Sequence, residues 1–172
     1  MEYIMLIRKA KKGDGNAFSK LIKAYEKDLY RVSKAMVKND DDALDCIQDT
    51  ILRAYENIKK LEKEQYFKTW LIKILINRCN SLIAKRKKIV SYSEVFTEGE
   101  EDNITEKIEV KSAIEKLEDE LKILVMLYYF EDMSIKDIGE SLKIPEGTVK
   151  SRLSRARSYL KELLKDDERS II

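Results

Sequence analysis

The sequence predicts an all-α protein made of two small helical domains joined by an acidic flexible linker, and three observations predict it. Glycine and proline number only 5 and 1 in 172 residues, far too few for the tight turns that short strands require. Apolar residues recur at helical spacing in several separate stretches, within a chain that is 44% hydrophobic and therefore able to bury real cores. Between residues 91 and 110 that periodicity fades and carboxylates crowd together, dividing a first block (1–90) from a second (111–172).

The elements follow in order. Ala17, Phe18, Leu21, Ile22, Tyr25, Leu29, Val32 and Met36 form one buried stripe, with Asp14 as the cap that opens it. The cluster Lys38-Asn39-Asp40-Asp41-Asp42 breaks that helix and caps the next. There Leu44, Ile47, Ile51, Tyr55 and Ile58 read as the inner face, and Asp45, Gln48, Asp49 and Glu56 as the outer one. A third helix, from Phe67 to about Lys87, turns Trp70, Leu71, Ile74, Leu75, Leu82 and Ile83 inward and its cations outward. In the second block Ile114, Leu117, Leu121, Leu124, Val125 and Tyr128 mark another amphipathic helix, followed by a compact pair at Ser134–Leu142 and Thr148–Leu164.

Composition narrows the function. Histidine is absent, which removes the commonest general base and the commonest metal ligand. Cys46 and Cys79 have no metal-ligand spacing and read as small buried apolar residues, in keeping with a reducing cytoplasm. No glycine-rich phosphate loop is present, so an enzyme, a metal site and a cofactor are not expected. No run approaches the roughly 20 apolar residues of a membrane span, and MEYIMLIRKAKKGD turns charged too early for a signal peptide.

The net charge of +2 conceals segregated blocks. From Gln65 to Ser93 there is no carboxylate, while Lys68, Lys73, Arg78, Lys85, Arg86, Lys87 and Lys88 fall inside that stretch. Glu94, Glu98, Glu100, Glu101, Asp102, Glu106 and Glu109 then oppose only Lys107, and the C-terminal portion is basic again. Such alternation suggests two polyanion-binding surfaces with an acidic spacer between them.

In the compact pair, Ser134 caps a short helix and Asp137 sits in its first turn. Lys143-Ile144-Pro145-Glu146-Gly147 reads as the turn, with glycine supplying backbone freedom, and a second helix opens at Thr148. Ile138, Leu142, Ile144, Val149 and Leu153 form the shared core, and Gly139 supplies the small residue at the closest approach. That is helix-turn-helix spacing. Lys150, Ser151, Arg152, Ser154, Arg155 and Arg157 crowd the first turns of the second helix, where a recognition helix meets base edges and phosphates.

GTVKSRLSRAR, preceded by LYYFEDMSIKDIGESLKIPE, resembles the region-4 signature of the extracytoplasmic-function (ECF, group 4) sigma factors of the sigma-70 family. In that family this domain reads the −35 promoter element. The resemblance implies base contacts for Lys150, Ser151 and Arg155, and phosphate contacts for Arg152 and Arg157. Gly139 stands where the family often has alanine.

The first block resembles the same family. DALDCIQDTILRAYENI is similar to region 2.2, which docks on the clamp coiled coil of core RNA polymerase, and this implies Asp45, Gln48 and Asp49 as its contacts. FKTWLIKILINRCNSLIAKRKK resembles regions 2.3 and 2.4, which recognise and melt the −10 element. Lys68, Lys73, Arg78 and Arg86 would hold the displaced strand. The loop Lys59–Tyr66, with Leu61, Phe67 and Asn77, would form a pocket for an extruded base. Tyr66 is the better stacking candidate and Trp70 reads as core; Phe67 stands between the two roles, and a backbone-bonded core amide is the other reading of Asn77.

The resemblance implies core RNA polymerase (clamp coiled coil and flap), promoter DNA and a membrane-associated anti-sigma factor as partners, for a protein that is monomeric when free. At this length the chain resembles the small members of the family, in which neither an extra domain between the halves nor an inhibitory extension ahead of them is expected. The competing reading is a stand-alone dimeric helix-turn-helix regulator, which would bind two-fold symmetric sites without polymerase.

Overall fold

The computed structural model describes residues 2–90 and 110–169. The linker expected at 91–110 lies outside those residues except for Val110, which opens a helix. The described elements are helical: α1 (Glu2–Lys11), α2 (Gly15–Val37), α3 (Asp40–Asn57), two short 3-10 turns, α4 (Phe67–Val90), α5 (Val110–Glu115), α6 (Asp119–Val125), a π-helical turn (Met126–Phe130), α7 (Ile135–Leu142) and α8 (Glu146–Arg169).

Capping chemistry sets the boundaries. The Asp14 carboxylate accepts from the Ala17 N–H at 3.0 Å and opens α2. That helix ends where Lys38 takes a left-handed conformation, φ 59°. Asn39 then accepts from the Asp42 N–H at 3.0 Å and opens α3, whose first turn carries Asp40, Asp41 and Asp42 on the positive end of its dipole.

The first half packs α1 to α4 around Leu21, Leu29, Val32, Leu71, Leu75 and Ile76, all fully buried. The phase of α3 differs from expectation. Its core face is Ala43, Cys46, Thr50 and Ala54, while Leu44 and Tyr55, expected inside, are about half exposed. Cys46 and Cys79 are buried free thiols, and burial pushes the Cys79 thiol up to about 12, so it stays protonated and unreactive at neutral pH.

The second half wraps α5, α6 and α7 around α8, with Leu124, Leu127, Ile138, Val149, Leu153 and Ala156 at its centre. The helix-turn-helix departs from expectation in one detail. The left-handed residue of the turn is Lys143, φ 58°, not Gly147, which lies inside α8. The Pro145 carbonyl accepts from the Thr148 and Val149 N–H groups, so α8 opens at Glu146, ahead of the expected Thr148. Proline favours a helix start because its φ is already helical. Gly139 sits under this turn: a Cβ there would meet the Ile144 carbonyl oxygen at 2.9 Å.

The halves also pack on one another, α2 against α6 and α4 against α7. Glu131, wholly buried, receives Arg31 from α2 at 2.6 Å and Lys68 from α4 at 3.1 Å. The Arg31 guanidinium lies 5.2 Å from the centre of the Phe130 ring. Burial opposes the charge on Arg31 and Lys68, yet the hydrogen bonds and charges of Glu131 and Asp28 outweigh it, and both side chains hold their protons more tightly than usual.

Candidate nucleic-acid interface

Two helices carry the residues suited to nucleic acid. On α8, Lys150, Ser151 and Arg155 are exposed on its N-terminal turns, while Leu153 and Ala156 anchor the opposite face in the core. The Ser151 hydroxyl donates to the Thr148 carbonyl at 3.1 Å. Arg155 pairs with Glu118 at 2.7 Å and Arg152 with Glu120 at 2.8 Å, and Arg157 donates to the Tyr129 hydroxyl at 3.2 Å. The Arg155–Glu118 pair is open to solvent on both sides and is therefore readily exchanged for a DNA partner.

The second locus is a groove of about 390 Å³ between the end of α3 and the outer face of α4. Arg53, Asn57 and Lys60 form one wall; Trp70, Ile74, Asn77, Arg78 and Ser81 form the other. Flat, apolar and amide groups beside cations suit an unstacked base next to its phosphates. Asn77 is exposed, so its amide side chain is not the core amide of the alternative reading; its backbone carbonyl accepts from the Ser81 hydroxyl at 2.8 Å. Trp70 is half-buried and both packs on Phe67 and lines the groove.

The remaining −10 candidates are placed differently. Leu61 and Phe67 are in the core rather than on a pocket wall, because the loop between α3 and α4 folds back under α1, where Lys11 donates to the Leu61 carbonyl at 2.6 Å. Tyr66 is half exposed at the start of α4 but does not line the groove. Arg78 is tied to Asp49 and Arg86 to Asp42, both on α3. Lys68 and Lys73 project from another face of α4, toward the second half, where Lys73 meets Asp137 at 2.6 Å and Glu140 at 3.3 Å. Lys60 lies in the loop Lys59–Tyr66 expected to form the pocket, whereas Arg53 and Asn57 were not anticipated; their signal was their position in the last turns of α3.

On α3, Asp45 and Gln48 are exposed, and Leu44, Leu52 and Tyr55 rise beside them as a half-exposed apolar strip, with Tyr55 resting edge-on against Phe18 of α2. Asp49 shares that side and reaches Arg78.

The comparisons with known proteins divide the chain where the fold does. Residues 21–89 match the model of Sigma-70 region 2 and residues 107–160 that of Sigma-70, region 4. The ECF RNA polymerase sigma factor SigW of Bacillus subtilis (strain 168) is 32% identical over 93% of this chain and 95% of its own. The chain belongs to the ECF sigma factors. Another relative is the RNA polymerase sigma factor SigV of the same strain, 31% identical over 83% of this chain and 89% of its own. Among solved structures, the sigma factor RpoE of Bartonella quintana, in complex with the anti-sigma factor NepR, superposes with a TM-score of 0.67 at 28% identity, covering 86% of this chain and 96% of that one. CnrH, in complex with the cytosolic domain of CnrY, shares the fold with a TM-score of 0.63 at 22% identity, over 97% and 99% of the two chains. This ECF sigma factor is a transcription initiation factor of RNA polymerase, and no helix among the described residues is long and apolar enough to cross a membrane.

Proposed function

We propose that this sigma factor reads the −35 element with the exposed turns of α8 and captures an extruded −10 base in the groove between α3 and α4. Lys150, Ser151 and Arg155 address bases from α8, and Arg152 and Arg157 address flanking phosphates. In the groove, Trp70 and Ile74 supply the apolar wall, Asn57 and Asn77 offer amides to a base edge, and Arg53, Lys60 and Arg78 hold the strand. Capturing a base offsets an unstacking cost of a few kcal/mol, so opening proceeds without ATP. The observation that carries this reading is that groove: cations, amides and an indole around a base-sized space, on the helix matched to region 2.

Core polymerase is engaged in two places, the clamp coiled coil through Asp45, Gln48 and Asp49, and the flap through the second half. The apolar strip Leu44, Leu52 and Tyr55 supports a docking face on α3, because half-exposed leucine and tyrosine gain stability only when a partner covers them. The protein is monomeric when free, acts in the cytoplasm, and serves a stress or envelope regulon. An anti-sigma factor, membrane-associated, holds it inactive; the RpoE relative solved with an anti-sigma factor supports that partner class. Membership of the sigma family argues against the dimeric helix-turn-helix regulator.

Transcription in vitro with purified core polymerase and genomic fragments tests the reading. Wild type gives discrete start sites sharing a two-part promoter, and changing Asp45 and Gln48 together to Ala weakens core association while binding to an isolated −35 duplex is unchanged. Undiminished core affinity in that double variant would remove the clamp assignment.

A further inference from the structure

The loop that borders the base groove has no turn chemistry of its own. Lys59-Lys60-Leu61-Glu62-Lys63-Glu64-Gln65-Tyr66 contains neither glycine nor proline, the residues that ordinarily fix a chain reversal by their backbone preferences. Two short 3-10 turns, Ile58–Lys60 and Glu64–Tyr66, are closed by the Leu61 N–H on the Ile58 carbonyl and by the Tyr66 N–H on the Lys63 carbonyl, both at 3.1 Å. Single turns gain too little from their own hydrogen bonds to stay formed. What holds these two lies outside the loop.

The hold comes from α1. Ile7 and Ala10 bury one face of that helix in the core, and Arg8 and Lys11 stand in its last turn. Lys11 Nζ donates to the Leu61 carbonyl at 2.6 Å and pairs with the Glu64 carboxylate at 3.5 Å, and Arg8 reaches that carboxylate at 3.8 Å. One ammonium thus ties both turns to α1, since Leu61 follows the first and Glu64 opens the second. The Lys11 and Glu64 side chains are each only 23% exposed, so water and salt compete for this tie less than for the open Arg155–Glu118 pair. Leu61 is fixed at three points: its N–H, its carbonyl and its buried side chain. The residue before it is Lys60, which lines the groove.

The segment matched to region 2 begins at residue 21, so α1 lies ahead of it, and none of the groove-lining residues belongs to α1. We propose that Lys11 is a positioning residue for base capture: from α1 it sets the path of the loop, and through Leu61 the place of Lys60 on the groove wall. The inference rests on the reading of the groove as the site of the extruded base. It gives α1 a part in strand opening without touching the base. Losing a charged donor and leaving a sheltered carbonyl unpaired costs on the order of tenfold. That factor falls on opening rather than on the initial closed complex, because α8 takes no part in the tie.

Lys11→Met, in the full chain assembled with purified core polymerase, tests it by removing the donor and keeping the aliphatic stem. Affinity for the closed duplex promoter stays within about twofold of the parent, while permanganate reactivity of −10 thymines develops about tenfold more slowly. The decisive comparison uses a pre-opened −10 bubble with an abasic site at each position in turn. The parent loses affinity when the captured base is the one removed. At that position the parent and Lys11→Met become equal, because the wall that Lys11 places has no base left to hold. A Lys11→Met defect of the same size with and without that base, the signature of a general loss of folding, overturns the proposal. Unchanged opening, or closed-complex binding lost in step with opening, overturns it as well. Indifference of the parent itself to every abasic site removes the groove reading instead, which separates the two failures.

Discussion

Replacing Ile138 by alanine isolates how much of −35 binding depends on the interior of the helix-turn-helix. Ile138 lies on α7, wholly buried in the cluster that holds Val149, Leu153 and Ala156 of α8, and takes no part in the exposed basic face. Truncating a buried isoleucine costs about 2–5 kcal/mol, the transfer of the lost carbons plus the cavity they leave. Full burial and a helix of only two turns place this site near the middle of that range, at about 3–4 kcal/mol. A helical unit of about 60 residues holds on the order of 3–9 kcal/mol in total, so the substitution removes a large share of it. At about 4–8 °C per kcal/mol for a unit of this size, the second half should melt roughly 15–25 °C earlier by circular dichroism. Binding to an isolated −35 duplex should fade as that melting begins, whereas association with core polymerase through α3 should persist at lower temperature. A melting shift below about 5 °C would refute the packing argument, and lost DNA binding in a fully folded variant would show that Ile138 acts on the interface itself.

Two further outcomes can be stated. Arg155→Ala, which also frees Glu118, should cost on the order of 1–3 kcal/mol at one −35 position in a base-substituted duplex panel, and uniform weakening across the panel would reassign the side chain to phosphate. The ion-paired contact of Lys73 with Asp137 and Glu140, between α4 and α7, should ignore pH across the neutral range, which amide hydrogen exchange in α7 can follow. Burial opposes the charge on Asp137, but Lys73 and Ser134 outweigh it and lower its pKa below 3.8; its contribution is present above that value and lost as pH falls through the lower folded one. Burial likewise opposes the charge on Lys73, but Asp137 and Glu140 raise its pKa above 10.5; its contribution is present below that value and lost as pH rises through the higher folded one. Opening between about pH 6 and 8 would contradict these directions, since the chain has no histidine to titrate there.

The caps of α2, α3 and α7 and the helix-turn-helix were legible because they depend on local chemistry: Asp14, Asn39 and Ser134 each accept from an N–H three residues on, whereas α1 was not singled out and the one helix expected from Ile114 to Tyr128 is divided into α5, α6 and a π-helical turn. The errors share a different cause. Leu44 and Tyr55 look like core in the sequence because a leucine awaiting a partner and a leucine inside a domain have the same spacing. The α4 cations look like one DNA-binding set, yet tertiary contacts divide them between a groove face and a face turned to α7, and nothing within residues 67–90 encodes which carboxylates stand opposite. Leu61 and Phe67 were misplaced because the burial of a loop depends on what folds over it, here α1. In the turn, Gly147 drew attention from Lys143, a residue type that takes φ 58° at some conformational cost.

The bare α-carbon of Gly139 has a wider consequence for how promoter words diversify. The Ile144 oxygen rests where a methyl would go, so an alanine at this site acts as a shim that lifts the turn by a few tenths of an ångström and tilts the base of the reading head. Two sigma factors with identical base-facing side chains, differing only by this hidden shim, would hold those side chains at different depths in the major groove. On the proposed placement of α8, spelling preference would thereby be adjustable from beneath, at a residue buried under the turn.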